Sequence, residues 1–359
     1  MLKYFFVLFL GFSQSVLAQT PVFISSNNHK IQYEGRIGRT ADSAADLSWP
    51  GSSVLIRFEG TEIKALLKDE TGKNTFNVII DQKNISKLEL DTAKKYYTLA
   101  SSLPKGIHTI ELFKRTESRW GSAFFYGFSI AGNAKLFQPL EKKLKMEFFG
   151  NSITCGYAIE DSTGDSGDAK FENNYLSYAS LTARHFNAAN HNTAVSGIGI
   201  MVSWFSFIMP GVWDKLNTGN RNIYWNFSSY QPDIVVINLF QNDSWIVTQP
   251  NNPEFKRVFG TTAPDSVFII NSYKKFVNGI RKKYPHAKII CALGAMDITR
   301  KNSPWPGYVK QAVAEMDDKK MFTYFFPQCN STGHPRIKHQ QEMADQLINF
   351  IEKNNLFAK

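Results

Sequence analysis

Ser152 and His334 are the two residues whose types and settings most directly suggest chemistry. Ser152 comes after a short apolar run over residues 144–149, directly behind a glycine and an asparagine. That arrangement is typical of a tight turn at the end of a buried strand. His334 opens the last helical segment of the chain. A serine hydroxyl and an imidazole can act as nucleophile and general base in acyl transfer. A histidine at a helix start can also be a simple cap, and His339 is a competing candidate base.

Two further segments carry groups that could stabilise the oxyanion of such a reaction. Gly197 follows the second predicted strand of the C-terminal region, and Asn242 follows the third. The backbone N–H groups of Ser152 and Gly197 and the side-chain amide of Asn242 are suitable donors. Loss of one such donor typically raises the barrier by about 3 kcal/mol. Gly199 could take the place of Gly197, and Asn242 could instead cap a loop.

An alternation of strands and helices predicts how these segments meet. Predicted strands cover residues 144–149, 187–193, 234–239, 287–293 and 321–326, and predicted helices cover 175–186, 265–284 and 337–353. Pro335 is expected in the first turn of the last helix. This alternation is typical of a parallel sheet with helices on both faces. Since the carboxyl ends of parallel strands share one edge, we expect the four candidate residues to lie together.

The N-terminal region has a different pattern. Residues 22–137 contain short strands separated by turn signals such as Glu59-Gly60 and Thr71-Gly72. Many short strands at this spacing predict an all-β sandwich. Residues 138–143 are interpreted as a charged linker, and residues 144–359 as the α/β domain.

Composition limits the class of protein. The chain has 359 residues, 43% of them hydrophobic and 20% charged, which favours two folded domains over a disordered chain. Residues 1–18 have the pattern of a signal peptide, with Lys3 before an apolar stretch and a small-residue cleavage site, so export to the periplasm or the outside is expected. The apolar stretch is too short for an integral membrane span. The formal net charge of +10 comes with scattered lysines, so we expect a solvated surface without a nucleic-acid site. A monomer is also expected.

The three cysteines, Cys155, Cys291 and Cys329, have neither metal-ligand spacing nor the density of a disulfide framework. Cys291 lies in a predicted strand and is expected to be buried. Cys155 and Cys329 flank the candidate serine and histidine in the sequence. They form either a disulfide or two buried thiols, and the thiols are preferred. No metal cluster, phosphate-binding loop or nucleotide motif is present, so no metal and no cofactor are expected.

The four candidate segments resemble the signature blocks of the SGNH (GDSL-type) hydrolases, which are named for Ser, Gly, Asn and His in this order. The run from Phe149 to Ala158 is similar to the nucleophile block of family 2 carbohydrate esterases. This resemblance covers nearly the whole chain after the signal peptide. It implies an N-terminal jelly-roll sandwich joined to a three-layer, flavodoxin-like α/β domain. It also implies hydrolysis of acetyl esters on plant polysaccharides such as xylan and glucomannan, so acetylated polysaccharide or oligosaccharide is the expected partner.

Three positions depart from the pattern of that family. Asn151 stands where aspartate is usual, and Phe240 stands where the third block usually has glycine. The superfamily usually has aspartate three residues before its histidine, and here that position is Ser331. Some family 2 esterases work as a Ser–His dyad in which a backbone carbonyl orients the histidine. The resemblance therefore predicts such a dyad, with a carbonyl of residues 327–331 as the partner of His334.

Aromatic residues near the blocks are candidates for sugar binding. Trp245 follows the third block, and Trp305 and Tyr308 belong to a predicted loop after the fourth strand. Flat rings offer apolar faces for sugars, although a chain that is 14% aromatic places some rings in loops by chance. Two alternative functions remain open: a carbohydrate-binding protein with a vestigial esterase site, and an esterase for a different acyl group.

Overall fold

The computed structural model describes residues 20–132, 134–219 and 222–358. The predicted signal peptide at residues 1–18 lies outside these described residues. Within them, no helix is both long enough and apolar enough to cross a membrane.

The N-terminal region is built from short strands. In chain order they are β1 (Val22–Ser25), β2 (Ile31–Glu34), β3 (Ile37–Arg39), β4 (Ala45–Leu47), β5 (Ser53–Glu59), β6 (Ile63–Asp69), β7 (Thr75–Ile80), β8 (Asn84–Glu89), β9 (Lys95–Ala100), β10 (Ile107–Lys114), β11 (Ala123–Ile130) and β12 (Lys135–Phe137).

These strands form two antiparallel sheets of six strands each. One sheet has the order β3-β4-β11-β6-β9 with β1 also paired to β11, and the other has the order β12-β5-β10-β7-β8 with β2 also paired to β5. Buried and exposed residues alternate along strands such as β6, because successive side chains of a strand point to opposite faces. The inward side chains of the two sheets make one hydrophobic core. The predicted β-sandwich is therefore confirmed.

The C-terminal region alternates strands and helices. Its elements are β13 (Leu144–Gly150), α1 (Ser152–Cys155), α2 (Tyr178–His185), β14 (Ala188–Ala194), β15 (Ile234–Asn238), α3 (Gln241–Ile246), α4 (Pro253–Phe259), α5 (Ser266–Lys283), β16 (Lys288–Leu293), α6 (Trp305–Met316), β17 (Met321–Phe325) and α7 (Ile337–Lys353).

The five strands make a parallel sheet with the order β14-β13-β15-β16-β17. Helices α5 and α6 pack on one face and α2 and α7 on the other, which gives two separate cores. This confirms the predicted three-layer α/β fold. Strand order reverses between β13 and β15, so a crevice is expected outside their carboxyl ends.

Two local expectations were wrong. Pro335 precedes α7, which begins at Ile337 behind the cap residue Arg336, so this proline is not in the first helical turn. The predicted loop that contains Trp305 and Tyr308 is the beginning of α6. The proline at position 306 is compatible with a first helical turn, where its missing N–H is not needed.

The two regions share a polar and apolar contact surface. Arg36 of the sandwich pairs with Glu147 of β13 at 2.7 Å, and both side chains are almost completely buried. The indole N–H of Trp49 donates to the Leu216 carbonyl at 2.7 Å, and its ring belongs to the core that contains α5. Removal of one partner of such a buried ion pair typically costs about 3 to 5 kcal/mol, because it leaves the other charge buried without compensation.

Candidate active site

Ser152 is held by the turn between β13 and α1. The Asn151 side chain caps α1 by accepting a hydrogen bond from the Ile153 N–H at 3.0 Å. Gly150 has to be a glycine here, since a Cβ at this position would lie 2.0 Å from the Thr154 hydroxyl oxygen. The tight turn places Ser152 at the carboxyl edge of the sheet, on the wall of a cavity.

His334 meets Ser152 across that edge. Its Nε2 lies 2.8 Å from the Ser152 Oγ. The Tyr157 ring packs against the imidazole with centroids 4.6 Å apart. His339, the competing candidate base, lies in α7 and accepts a hydrogen bond from the Arg336 N–H at 3.2 Å. The structure therefore brings His334 to Ser152 and leaves His339 as part of a helix cap.

Asp165 orients His334, which corrects the dyad expectation. Its Oδ2 lies 2.7 Å from His334 Nδ1 and accepts from the His334 backbone N–H at 3.1 Å. The partner of the imidazole is therefore a carboxylate and not a backbone carbonyl of residues 327–331. Ser331, at the position where aspartate is usual, donates to the His334 carbonyl at 2.8 Å and helps to shape the loop. Ser152, His334 and Asp165 thus form a hydrogen-bonded triad.

The loop that carries Asp165 is itself well organised. The buried Asp161 carboxylate accepts backbone hydrogen bonds from Thr163 at 3.0 Å and Ser166 at 3.0 Å. Gly333 lets the loop approach, since a Cβ there would lie 2.5 Å from Asp165 Oδ2. These contacts hold the carboxylate of a surface loop in one place.

Electrostatics keep Asp165 ionised. Burial acts to raise its pKa, but hydrogen bonds and charge from His334, together with a hydrogen bond from Arg336, lower the pKa to about 2. The Arg336 Nη1 lies 2.8 Å from Asp165 Oδ1. A permanently charged acceptor on Nδ1 leaves Nε2 as the basic nitrogen that faces Ser152, which is the tautomer a general base needs.

The oxyanion donors predicted from the sequence line the same cavity. In the described part of the chain, the backbone N–H groups of Ser152 and Gly197 donate to no other protein group. Gly197 adopts a left-handed conformation with φ of 83°. The N–H of Gly199, the alternative donor, is bonded to the Ser203 hydroxyl at 3.0 Å. The structure therefore favours Gly197 over Gly199 for this role.

Asn242 lies beside these groups with one amide hydrogen still available. Its Nδ2 donates to the Ile198 carbonyl at 2.8 Å, and its Oδ1 accepts from the Trp204 indole at 3.0 Å. A primary amide has two donor hydrogens. The two bonds fix the plane of the amide, so the second hydrogen is preorganised for an oxyanion.

Phe240 preserves the turn before Asn242 without the usual glycine. It adopts a left-handed conformation with φ of 77°, which is unfavourable for a residue with a Cβ. Its ring is completely buried and packs against Tyr273 and Trp305, with centroids 5.0 Å and 5.1 Å away. Burial of the ring offsets the backbone strain, so the position of Asn242 does not depend on glycine here.

Asp243 ties the third block to the second. Its buried carboxylate accepts backbone hydrogen bonds from Ile200 at 3.0 Å, Met201 at 2.6 Å and Val202 at 3.1 Å. Burial raises the pKa of Asp243 to about 6, although these three N–H groups favour its ionised form. The loop behind Gly197 is therefore fixed to the start of α3.

The cavity beside Ser152 and His334 has a volume of about 550 Å³, and its wall combines polar residues with several aromatic rings. Among the predicted sugar-binding residues, Trp245 lines this cavity, and its indole N–H donates to Asp297 at 2.8 Å. Trp305 and Tyr308 do not line it, because α6 turns Trp305 into the core and Tyr308 packs against it. The sequence did not single out the other aromatic residues of the wall, namely Tyr157, Trp204, Phe205 and Phe207.

The structure describes all three cysteines. All three cysteines are free; Cys155 and Cys291 are buried, and Cys329 is half-buried. No bond joins Cys155 to Cys329. Cys155 is a buried thiol as expected, whereas Cys329 is a thiol that is only half-buried. Among the described residues, no group of three His, Cys, Asp or Glu side chains could hold a metal ion.

Both regions of this chain are similar to known protein families. The family model described as Carbohydrate esterase 2 N-terminal matches residues 33–139, and the GDSL-like Lipase/Acylhydrolase family matches residues 148–324. A solved family two carbohydrate esterase from Clostridium thermocellum, in complex with cellohexaose, superposes with a TM-score of 0.80. It has 32% sequence identity to this chain, and the match covers 90% of this chain and 99% of that one. The chain belongs to family 2 of the carbohydrate esterases.

Two curated proteins are similar to this family 2 member over most of its length. Cellulase/esterase CelE of Acetivibrio thermocellus is 33% identical over 357 residues, which cover 94% of this chain and 41% of CelE. The chain thus spans about two fifths of that relative. An acetylxylan esterase / glucomannan deacetylase of Cellvibrio japonicus is 25% identical over 343 residues, which cover 93% of this chain and 91% of that protein.

Asp165, the acid hydrogen-bonded to His334 in this family 2 chain, is the candidate site residue that sequence reasoning missed. Asp165 lies in a polar loop that also contains two other aspartates and several glycine and serine residues. The loop follows β13 and α1, so it starts at the same sheet edge as Ser152. A search for carboxylates in every loop at that edge, rather than only near His334, would have made it a candidate.

Proposed function

We propose that this chain is a secreted, monomeric carbohydrate O-acetyl esterase. The observation that carries the proposal is the hydrogen-bonded series Ser152–His334–Asp165 at the base of an aromatic-walled cavity. Names of relatives such as acetylxylan esterase / glucomannan deacetylase make acetylated xylan and glucomannan the first substrates to test.

Acylation begins when His334 Nε2 takes the proton of the Ser152 hydroxyl. The Ser152 Oγ then attacks the acetyl carbonyl carbon, and the carbonyl oxygen becomes an oxyanion held by the N–H groups of Ser152 and Gly197 and by the Asn242 amide. The tetrahedral intermediate collapses as the imidazolium gives its proton to the sugar oxygen. The sugar leaves with a free hydroxyl, and an acetyl group remains on Ser152.

Deacylation repeats these steps with water. His334 takes a proton from a water molecule, and the resulting hydroxide attacks the acetyl-serine carbonyl. The same three donors hold the oxyanion. The proton on His334 then returns to the Ser152 Oγ, and acetate leaves. Asp165 remains a carboxylate throughout and stabilises the imidazolium that forms twice in each cycle.

The two alternatives predict different measurements. A binding protein with a vestigial site was suggested by the missing aspartate and by Phe240, and both reasons are weakened by Asp165 and by the retained left-handed turn. An esterase for longer acyl groups would use part of the cavity of about 550 Å³ for the acyl chain. Relative rates on acetyl, butyryl and octanoyl esters of 4-nitrophenol distinguish this from an acetyl esterase.

The test is acetate release from acetylated xylan, glucomannan and pectin by the mature protein, beside the Ser152→Ala variant. We expect release from at least one of these glycans, with the rate falling at least about 10⁵-fold in the variant because the nucleophile is lost. Thermal unfolding of both proteins controls for folding. No release from any glycan or synthetic acetyl ester would refute the proposal and favour the binding protein.

Export can be tested separately. Expression of the full chain with its first 18 residues should yield protein outside the cytoplasm whose N-terminal residue is Gln19. Retention of the uncleaved chain in the cytoplasm would contradict the secreted location. Light scattering of the purified protein tests the monomer.

A further inference from the structure

Glu117 is a carboxylate of the β-sandwich that reaches the hydrolytic site. It lies between β10 and β11, just before a short 3₁₀ turn over Ser118–Trp120, and none of its surface is exposed. Ser118 and Arg119, which follow it, line the cavity above Ser152. Burying a carboxylate is costly unless hydrogen bonds compensate the lost hydration. The bonds that Glu117 makes therefore indicate what it does.

One of these bonds fixes the segment that carries an oxyanion donor. The Ser196 backbone N–H donates to Glu117 Oε2 at 2.7 Å, and Ser196 directly precedes Gly197. The Val195 N–H donates to the Gly150 carbonyl at 3.3 Å, and the Trp204 N–H donates to the Gly197 carbonyl at 3.1 Å. The segment is thus held on one side by the parallel sheet and on the other by a side chain from the sandwich.

Glu117 is in turn fixed by a network that crosses the two regions. Its own N–H donates to Glu172 Oε2 at 3.0 Å. The Arg119 guanidinium lies 3.2 Å from Glu117 Oε1 and 3.1 Å from Glu172 Oε1. The Cys155 thiol points at Glu117 Oε2 from 3.7 Å. Burial and the charge of Glu117 raise the pKa of Glu172, whereas the hydrogen bonds from the Glu117 N–H and the Trp120 indole and the charge of Arg119 favour its ionised form.

We propose that Glu117 is a positioning residue for the oxyanion hole, so that the β-sandwich is part of the catalytic apparatus. The inference rests on the proposed esterase function. Glu117 does not touch the substrate in this scheme. It holds the Ser196–Gly197 segment so that the Gly197 N–H faces the carbonyl oxygen of an ester bound at Ser152. Without it, the left-handed Gly197 would lose one of its two lateral supports, and the donor would be displaced.

The variants Glu117→Ala and Glu117→Gln test this role, with Glu34→Gln as the control. Glu34 is a buried carboxylate of the same sandwich that pairs with Lys142 at 2.7 Å and does not line the cavity. In Glu117→Ala we expect kcat for 4-nitrophenyl acetate to fall about 10- to 100-fold, since an oxyanion donor is displaced rather than deleted. KM should change less than about threefold, because the displaced donor acts mainly in the transition state.

The conservative variant should separate positioning from general stability. Glu117→Gln keeps one acceptor oxygen. Both the Ser196 N–H at 2.7 Å and the Cys155 thiol point at the Oε2 position, whereas Arg119, which faces Oε1, keeps Glu172 Oε1 as an acceptor at 3.1 Å. The amide oxygen is therefore expected at the Oε2 position, and kcat should stay within about fivefold of the unchanged protein. Glu34→Gln should keep kcat unchanged. Rates are normalised to the fraction of sites that a fluorophosphonate probe labels at saturation, which removes misfolded protein from the comparison. Full kcat in Glu117→Ala, or a rise in KM alone, would overturn the proposal.

Amide hydrogen exchange gives a readout that does not depend on esterase activity. The Ser196 N–H should exchange slowly in the unchanged protein and at least about tenfold faster in Glu117→Ala, because its buried acceptor is gone. If the unchanged protein hydrolyses no ester, the proposed function fails by itself. The exchange rate of the Ser196 N–H then decides whether Glu117 positions this segment, and equal exchange rates in both proteins would refute it.

Discussion

Replacing Asp165 by asparagine should nearly abolish activity, for a reason that the surrounding donors make specific. The carboxylate faces three donors: His334 Nδ1 at 2.7 Å, the His334 N–H at 3.1 Å and Arg336 Nη1 at 2.8 Å. An amide has one acceptor oxygen and one NH₂ group. The guanidinium and the His334 backbone N–H can both only donate, but the bond from the charged guanidinium is the stronger one. We therefore expect the amide oxygen to face Arg336, where the His334 N–H still has a contact of 3.4 Å to it, and the NH₂ group to face His334 Nδ1. The imidazole must then accept at Nδ1 and carry its hydrogen on Nε2.

A hydrogen on Nε2 removes the base that Ser152 needs. In a serine protease with a Ser-His-Asp triad, the corresponding change of tautomer lowers kcat about 10⁴-fold. We therefore expect kcat of Asp165→Asn to fall about 10³- to 10⁴-fold, which corresponds to roughly 4 to 5 kcal/mol of barrier. Asp165→Ala should be less damaging, on the order of 10²-fold, because it imposes no wrong tautomer. The Asp165 side chain is 28% exposed, so water can replace the alanine variant's missing acceptor.

The assay is the initial rate on 4-nitrophenyl acetate and on an acetylated glycan, with thermal unfolding as the folding control. Arg336→Met is the matched second change. In Asp165→Asn with Arg336→Met, the amide oxygen is free to turn to His334, so kcat should recover at least about tenfold over Asp165→Asn alone. This reasoning would be refuted if kcat of Asp165→Asn were more than a tenth of that of the unchanged protein, or if kcat did not recover in the double variant.

Three further predictions concern the same edge of the sheet. Asn242→Ala should lower kcat about 10²- to 10³-fold with little change in KM; initial rates on 4-nitrophenyl acetate check this, and an equal rise in KM would argue against an oxyanion donor. The pKa of Asp165 is lowered to about 2 in the folded protein, so its contribution to the free energy of unfolding should be complete above its unfolded pKa of about 3.9 and be lost as the pH falls through 2. Urea unfolding should then show that the free energy of unfolding falls less between pH 6 and pH 3 in Asp165→Asn than in the unchanged protein. Phe240→Gly should relieve about 1 kcal/mol of left-handed strain but lose about 3 to 5 kcal/mol of core packing. Chemical denaturation should therefore show a clearly less stable protein, and a gain in stability would contradict the assigned balance.

The amino-acid sequence was sufficient to predict the β-sandwich, the α/β fold and the pairing of Ser152 with His334. Local patterns carried this information: burial alternates with period two along sandwich strands such as β6, and the strands of the parallel sheet are continuous apolar runs such as β15. Because parallel strands place their carboxyl ends on one edge, Ser152 and His334 could be paired although 181 residues lie between them.

The tertiary structure alone decided which acid orients His334 and which aromatic rings line the cavity. Asp165 reaches the imidazole through a loop whose path depends on the Asp161 hydrogen bonds and on the absence of a Cβ at Gly333, which the Asp165 carboxylate would otherwise meet. Trp305 was misassigned because a tryptophan near a turn has the same local pattern whether a helix points it to the cavity or to the core. Contacts between segments distant in the chain leave no periodic trace in either segment, so only the folded chain reveals them.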